Sequence, residues 1–442
     1  MGGSIAGLLT ARVLSDFFRQ VTIVERDVLP PGPGQRQGVP HGGHTHGLLA
    51  GGRAALERFF PGITQSLVEA GALRGDAVRD FRWFFEGDWL SRPDSGLDAL
   101  FCSRPLLESI VRSRVLSLPN VRVREGSTVL GLASSDDGER VTGVRLPGGP
   151  IAADLVADAT GRSSRTPQWL EQMGYEKPRR EVVTVGISYT TRFFARSPGD
   201  LNGDLGIALP PTPKDKRGGV ILAQEGNRWT VTLISHFGPG APEDLDGFCE
   251  FARTLPSPDI YDVIRHAAPL GDASLWKFPS SVRTHYDSLS RFPDGYLVIG
   301  DALCSFNPIY GQGMSVAALE AAELHSVLAD GAANPAGWFF ARARKVIDIP
   351  WSIAVGSDLR MPDVLGQRSL TLRLMNRYIS RLHRAAHTEP AVALAFNKVS
   401  NLLGPPATIL HPGVVLRVIR GNLSRASRRA GTTFRHAVAH SG

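Results

Sequence analysis

Cysteine is scarce. The chain has three in 442 residues, Cys102, Cys249 and Cys304, and they form no CxxC pair. A disulfide framework and a zinc ribbon are therefore excluded as organising themes. Also missing is any run near the ~18–20 uninterrupted apolar residues of a membrane-spanning helix. No charged-then-apolar leader opens the chain, so a secretory signal is not expected and a cytoplasmic protein is. No G-x-S-x-G occurs, and no Ser-His-Asp or Cys-His arrangement is legible, which leaves a hydrolase without its nucleophile elbow. No solenoid-type repeat is present. Lysine is rare too: six of the 49 basic residues, so nearly all positive charge is guanidinium.

Acid is missing from one region in particular. From residue 377 to 442 there are ten Lys/Arg against one acid, Glu389, so this stretch carries the whole net charge of +7. Such a tail can meet an anionic surface. Within 414–429, Leu416, Val418, Ile419 and Leu423 share part of a helical face, flanked by Arg417, Arg420, Arg428 and Arg429. The segment carries an expectation of peripheral contact with an anionic membrane. The plainer alternative is a helix packed on the protein with its arginines in water. Nucleic acid is not expected as a partner.

What is there reads as an ordinary globular chain, 42% hydrophobic and 21% charged, with 48 Gly and 31 Pro to make turns. A helix-like run, Leu8 to Phe18, is followed by Val21-Thr22-Ile23-Val24, a short buried strand. Helices are expected over 52–72, 104–117, 245–268 and 315–328, and strands over 121–124, 141–146, 155–159 and 296–299. Residues 182–194 and 219–236 alternate apolar and polar, as in a half-exposed antiparallel sheet. Residues 81–100 look aromatic and irregular, and Trp83, Phe84, Phe85 and Trp89 read equally well as pocket wall or as core. Beyond 340 the pattern is helical, with breaks expected at Pro350, Pro362, Pro390 and Pro405-Pro406.

The chain opens Gly2-Gly3-Ser4-Ile5-Ala6-Gly7. A strand–turn–helix that holds a pyrophosphate needs small residues at three places, and Gly2, Ser4 and Gly7 occupy them. The helix N-terminus offers free N–H groups to phosphates. Glu25 ends the next strand, 23 residues after Gly2, where a carboxylate can accept from ribose hydroxyls. The strand that normally precedes such a turn is absent ahead of Gly2, and a start codon assigned too late is the expected reason. His41, His44 and His46 follow in a Gly-rich loop. Their H-x-x-H-x-H spacing could ligate a metal, but no carboxylate or Cys joins it, and no metal is expected.

A second block, Gly300-Asp301 with Pro308, Gly311, Gly313 and Met314, ends a strand and enters a helix. Asp301 can accept from a ribityl hydroxyl, and the glycines let backbone N–H groups approach a flat ring. With the opening turn, this block resembles the FAD-dependent monooxygenases of the aromatic-hydroxylase and squalene-epoxidase type, above all the bacterial polyene epoxidases of polyether pathways. The resemblance covers residues 1 to about 330. It implies cofactor contacts from Gly2, Gly3, Ser4, Ile5, Ala6, Glu25, Arg26, Arg36, Arg104, Asp301, Pro308, Gly311, Gly313 and Met314. It puts His44 near the flavin, as a weak candidate proton donor. Where the family usually shows Asp-Gly, this chain has Thr160-Gly161, which leaves the electron source open between NADPH and a separate flavin reductase.

The fold class expected is α/β. A Rossmann-like FAD-binding domain from 1–55, 100–170 and 275–340 would join a substrate domain with an antiparallel sheet from 56–99 and 171–274. Residues 341–442 would form a helical appendage with the basic tail. The resemblance implies insertion of one oxygen atom from O2 into a small apolar polyene, terpenoid or aromatic substrate, through a flavin C4a-hydroperoxide, in secondary metabolism. Two rivals are an FAD-dependent dehydrogenase or prenyl-chain reductase on the same scaffold, and a degenerate, non-catalytic flavoprotein.

Overall fold

The computed structural model describes residues 1–332 and 334–424. Its helices are α1 (Ile5–Leu14), α2 (Ala50–Phe59), α3 (Ile63–Glu69), α4 (Arg104–Leu116), α5 (Thr166–Gln172), α6 (Leu245–Arg253), α7 (Asp259–Ile264), α8 (Gly313–Ala329), α9 (Pro335–Asp358), α10 (Leu370–Ala386), α11 (Pro390–Ser400) and α12 (Ala407–Leu410). A closing helix runs over 412–424.

Two parallel strand pairs form; Val21–Val24, Val156–Asp158 and Tyr296–Val298 are largely buried, as parallel ladders demand, while Val121–Arg124 is an edge that leaves Arg122 and Arg124 exposed. Val21–Val24 pairs with Val121–Arg124, and Val156–Asp158 pairs with Tyr296–Val298. Met1 and Gly2 lie between the pairs. Gly2 N–H donates to the Val24 carbonyl at 2.9 Å, and Ala159 N–H donates to the Met1 carbonyl at 2.9 Å. Helices α1, α2, α3, α4 and α8 bury Leu8, Leu9, Leu56, Leu67, Val111 and Leu324 in one core with these strands.

The alternating segments form the large, mostly antiparallel sheet of eight strands. Its order is Cys304–Ser305, Ser274–His285, Arg179–Ala195, Arg228–His236, Arg217–Gln224, Gly206–Leu209, Phe81–Phe85, Asp88–Trp89. The 17-residue strand Arg179–Ala195 breaks register between Thr184 and Ile187. Gly186 sits in that break at φ +54°, and a Cβ there would meet the Phe237 ring at 2.6 Å. At one edge, Cys304–Ser305 pairs with Val282 and Arg283. That edge strand belongs to the Gly-Asp block, so the sheet is tied directly to it.

The helix expected over 52–72 is two, α2 and α3, parted at 60–62. Three further expectations are corrected. Residues 81–101 hold strands at Phe81–Phe85, Asp88–Trp89 and Asp98–Phe101, with 90–97 irregular between them; Phe81–Trp83 pairs in parallel with Gly206–Ala208, and Leu73–Asp76 pairs with Asp98–Phe101. Their aromatics are partly buried against core clusters: Phe84 and Trp89 against the one that includes Phe194, Trp229 and Phe248, and Trp83 and Phe85 against that of the C-terminal helices. The helix expected over 245–268 is two, α6 and α7, separated by a bend at 254–258 that contains Pro256 and Pro258. Pro350 does not break α9, although an interior Pro typically costs ~3 kcal/mol. Burial of Ile347, Pro350, Trp351 and Ala354 along that face outweighs it.

The C-terminal helices close a core of their own around Leu382, Ala385, Val392, Val399 and Val418. In the closing helix Val418 is 2% exposed, while Leu416, Ile419 and Leu423 are 65%, 52% and 65% exposed. The four therefore do not share a face: Val418 points inward and the other three outward. Arg425, Arg428, Arg429 and Arg435 lie outside the described residues. Phe85 stacks on His383 at 4.2 Å. His383 is buried, and neither ring nitrogen has a hydrogen-bond partner.

Burial is the leading cause that pushes His383 from 6.5 down to about 3, with Arg360 next. A depressed folded pKa means this stabilisation is present above about pH 6.5 and lost as pH falls towards 3. His383→Leu should flatten the acid side of the stability profile. At pH 7.5 it should raise stability by about 1 kcal/mol, because two orphaned nitrogens are removed. Urea melts from pH 4 to 8 check this, and an unchanged acid limb in the variant would refute it.

Candidate active site

The opening turn is held by steric necessity. Gly2 has φ +91°, and a Cβ there would meet the Ala159 carbonyl at 2.5 Å; one at Gly7 would lie 1.8 Å from the Gly2 carbonyl. Gly3 N–H donates to Glu25 Oε2 at 2.6 Å. Ser4 caps α1 without a side-chain bond to it, so the helix's first N–H groups keep their positive end free. Ser4 Oγ instead donates to Glu108 Oε2 at 2.7 Å and accepts from Arg104 Nη2 at 3.0 Å. Ile5 is buried. Ala6 meets Gly300, where a Cβ would come within 2.6 Å of the alanine methyl. The turn and the Gly-Asp block are thus in direct contact.

Arg36 is buried among three carboxylates. It pairs with Glu25 at 2.8 Å, with Asp27 at 3.4 Å, and with Glu108. Arg112 donates to the carbonyls of Pro30 and Gly32, at 2.7 and 3.1 Å, and so holds the Pro-rich loop. Arg26 stands apart, its side chain exposed and 3.9 Å from Asp27. Arg104 shares Nη1 hydrogens with His41 Nε2 at 2.8 Å and His46 Nε2 at 3.3 Å. Burial pushes His41 to about 3, His44 to about 4 and His46 well below its usual value, and Arg104 adds to the first and last. All three imidazoles are neutral at pH 7, and two serve as acceptors for Arg104. Among the described residues no three His, Cys, Asp or Glu side chains converge as a metal set.

Asp301 lies between the opening turn and the edge strand Cys304–Ser305, exposed on one side and packed round by protein on the others. That desolvation, the leading cause, pushes its pKa up against the pull of Arg104 and Arg162. The exposed side of the carboxylate is within reach of a ligand. Arg162 donates to Ser305 Oγ at 3.2 Å and Ser280 Oγ at 3.0 Å, and its guanidinium lies 4.6 Å over the Phe278 ring. A Cβ at Gly313 would be 3.6 Å from Asp301 Oδ1, and one at Gly161 would be 4.0 Å from Asp301 Cβ. Both glycines keep the carboxylate uncovered. Behind it, Gly300 N–H donates to Glu320 Oε2 at 2.7 Å. Burial raises Glu320 to about 8, so it is largely protonated at pH 7.

Pro308 opens a tight turn that ends on Gly311 at φ +63°. Gly311 faces the loop at Gly47, and Leu49 N–H donates to Ser315 Oγ at 3.0 Å. Met314 and Gln312 are buried in the first turn of α8, and Gln312 Oε1 has no partner. Against this rises the sheet. His44 Nδ1 bonds Thr191 Oγ1 at 2.7 Å, Thr191 bonds Thr232 at 2.7 Å, and Thr45 bonds Thr232 at 2.8 Å. Tyr189, Trp276 and Phe278 stand beside these as an aromatic wall, with rings 6.0 and 5.7 Å apart. These groups fit a dinucleotide: a free helix N-terminus, an orphaned Arg104 Nε, an orphaned Gln312 Oε1, and a reachable Asp301 between glycines.

Sequence reasoning missed Asp358, at the end of α9. It is 1% exposed. Oδ1 accepts from Asn307 Nδ2 and Tyr310 Oη, each at 2.8 Å, while Oδ2 has no partner. Burial is the leading cause that raises this carboxyl from 3.8 to about 6, with Tyr310 and Asn307 pulling the other way. A raised folded pKa means its stabilisation is full below about pH 4 and lost as pH rises through about 6. Asp358→Asn removes that titration. From pH 4 to 8 the stability difference should shift in the variant's favour by roughly 3 kcal/mol. Paired urea melts check this; a difference flat across that range would exclude a titrating carboxyl here.

No family model matches the chain. It is 36% identical over 346 residues to protein Rv3254 of Mycobacterium tuberculosis, an alignment covering 74% of this chain and 72% of that protein. It is 25% identical over 355 residues to 6-hydroxy-3-succinoylpyridine 3-monooxygenase HspB of Pseudomonas putida, covering 74% and 78%. Among solved structures, the flavin-dependent brominase Bmp2 superposes with a TM-score of 0.67 at 15% identity, over 97% of this chain and 98% of that one. PqsL, a probable FAD-dependent monooxygenase from Pseudomonas aeruginosa, gives 0.61 at 15% identity, over 81% and 95%. At these identities the structures speak for the fold. The chain belongs to the family of Mycobacterium tuberculosis protein Rv3254, built on the fold of flavin-dependent monooxygenases and halogenases.

Proposed function

We propose that the protein is an FAD-dependent monooxygenase that places one oxygen atom from O2 into an apolar organic substrate, by epoxidation or hydroxylation. The observation that carries the reading is the direct contact of Ala6 with Gly300. It sets the glycine-rich opening turn beside a reachable carboxylate, with the aromatic residues of the sheet close by.

Gly2, Gly3, Ser4, Ile5 and Ala6 would hold the diphosphate at the N-terminus of α1, with Arg104 beside them. Glu25 would face the adenosine ribose, with its Oε2 paired to Arg36 at 2.8 Å. Asp301 would accept from ribityl hydroxyls, with Pro308, Gly311, Gly313 and Met314 along the ring. Bound FAD, once reduced, would supply the activation of dioxygen. The chain's own part is to bind, orient and exclude water. Tyr189, Trp276 and Phe278 present apolar surface, and Thr191, Thr232 and neutral His44 close the hydrogen-bond network beside it. A polyene, terpenoid or aromatic substrate suits such a wall. NADPH or a separate flavin reductase would supply the electrons. Thr160 Oγ1 donates to buried Asp158 at 2.6 Å and is thus already engaged.

The purified protein should carry FAD non-covalently and consume O2 in step with product. A substrate-dependent dehydrogenation without O2 uptake would point to a reductase or dehydrogenase on this scaffold instead. Asp301→Ala should weaken FAD binding by about 1–3 kcal/mol, the loss of one charged hydrogen-bond acceptor. Flavin content after desalting reads this directly. Wild-type occupancy in that variant would sink the assignment.

A further inference from the structure

Away from the candidate active site, the C-terminal helices leave a groove of about 590 Å³ between α10 and Pro213, floored by Leu359 and Leu372. Its walls carry six arginines: Arg360, Arg368, Arg373, Arg377, Arg381 and Arg384. Four of these lie on α10 at steps of four, four and three residues, so they form one stripe about 16 Å long.

The six differ in what neutralises them. Glu86 takes Arg360 and Arg384, each at 2.9 Å. Arg368 donates to the carbonyls of Leu359 and Val364, at 3.0 and 2.7 Å. Asp363, in the segment before α10, is taken by Lys216 at 2.6 Å. That leaves the guanidiniums of Arg373, Arg377 and Arg381 with no hydrogen bond or ion pair among the described residues. Like charges four residues apart on a helix repel, so the stripe destabilises the free protein. Nothing in the packing of α10 requires it, because Leu382, Ala385 and Ala386 supply the buried face. The same outward stripe bears Leu370 and Leu374, 77% and 63% exposed.

We infer that this groove binds a phosphate-bearing ligand with an apolar part. Guanidinium forks match phosphate oxygens in pairs. Three free forks spaced about 6 Å apart suit a diphosphate better than a single carboxylate. The leucines at the N-terminal end of the stripe suit an apolar chain, and the volume lies within the range of small-molecule sites. The phosphate can come from a soluble molecule or from a phospholipid headgroup; the recognition chemistry is the same. This site is independent of the FAD reading, since none of its residues is among those assigned to the cofactor.

The test uses the full chain and a doubly substituted form, Arg377→Gln with Arg381→Gln. Both positions are exposed, so folding should be intact, and equal melting temperature and flavin content confirm it. Calorimetry with inorganic pyrophosphate at low salt should show saturable binding, weakened at least tenfold in the variant. Co-sedimentation with vesicles of phosphatidylglycerol and phosphatidylcholine forms the second arm. Pyrophosphate binding that is lost in the variant supports a soluble source. Vesicle binding alone, lost in the variant, supports the headgroup source. Binding of neither probe, or equal binding by the variant, overturns the site.

Discussion

Helix α1 can begin where it does only because Gly7 and Gly300 carry no side chains. A methyl at Gly7 would sit 1.8 Å from the Gly2 carbonyl, and one at Gly300 would sit 2.6 Å from the Ala6 methyl. The first contact lets the helix fold back on its own entry turn. The second lets the Gly-Asp block, some 300 residues later, touch the same turn. From that double approach follow the positions of Ser4, Arg104 and Asp301, and through the edge strand Cys304–Ser305 the position of the sheet. Close backbone contacts of this kind leave no slack, since a Cβ cannot be accommodated by a rotamer change.

This is also why these parts were legible. A tight turn, a strand-end acid and a glycine-bracketed loop are set by local backbone demands, and local demands write themselves into spacing. Arg162, Glu320 and Asp358 had no such signature. Each acts through a partner far along the chain: Arg162 through Ser280, Glu320 through Gly300, Asp358 through Asn307. The irregular look of 81–100 has the same origin. Phe81–Trp83 is a strand because Gly206–Ala208 pairs with it, and a parallel partner so distant leaves no periodic trace. At Pro350 the local rule was clear and lost to packing, as happens when one helix face is deeply buried.

The histidine loop shows where spacing misleads. Three imidazoles within six residues look like ligands, yet what they face decides what they do. Arg104 offers hydrogens and positive charge, so His41 and His46 stay neutral and accept. A metal ion would need those same lone pairs. The arginine, in turn, spends Nη1 on both neutral rings and Nη2 on Ser4, and its Nε makes no hydrogen bond.

Three carboxyls around one block behave in three ways, and the difference is solvent and neighbours. Glu320 is sealed beneath Gly300 and largely neutral at pH 7. Asp358 is sealed beside Tyr310 and Asn307 and titrates near 6. Asp301 alone is reachable, and it faces Arg104 and Arg162. Arg104 faces Glu108 as well as Asp301, its Nε 3.9 Å from Glu108 Oε2, and Arg162 faces Asp301. With Glu320 largely protonated and the imidazoles neutral, two guanidiniums thus meet two carboxylates, and no net charge builds up. An anion would be drawn here by aimed donors, the free N–H groups at the start of α1 and the Arg104 fork, rather than by an excess of positive charge. A sheet wall of Tyr189, Trp276 and Phe278 on one side and a glycine-lined floor on the other suits a group that is flat, apolar on its face and rich in acceptors at its edge.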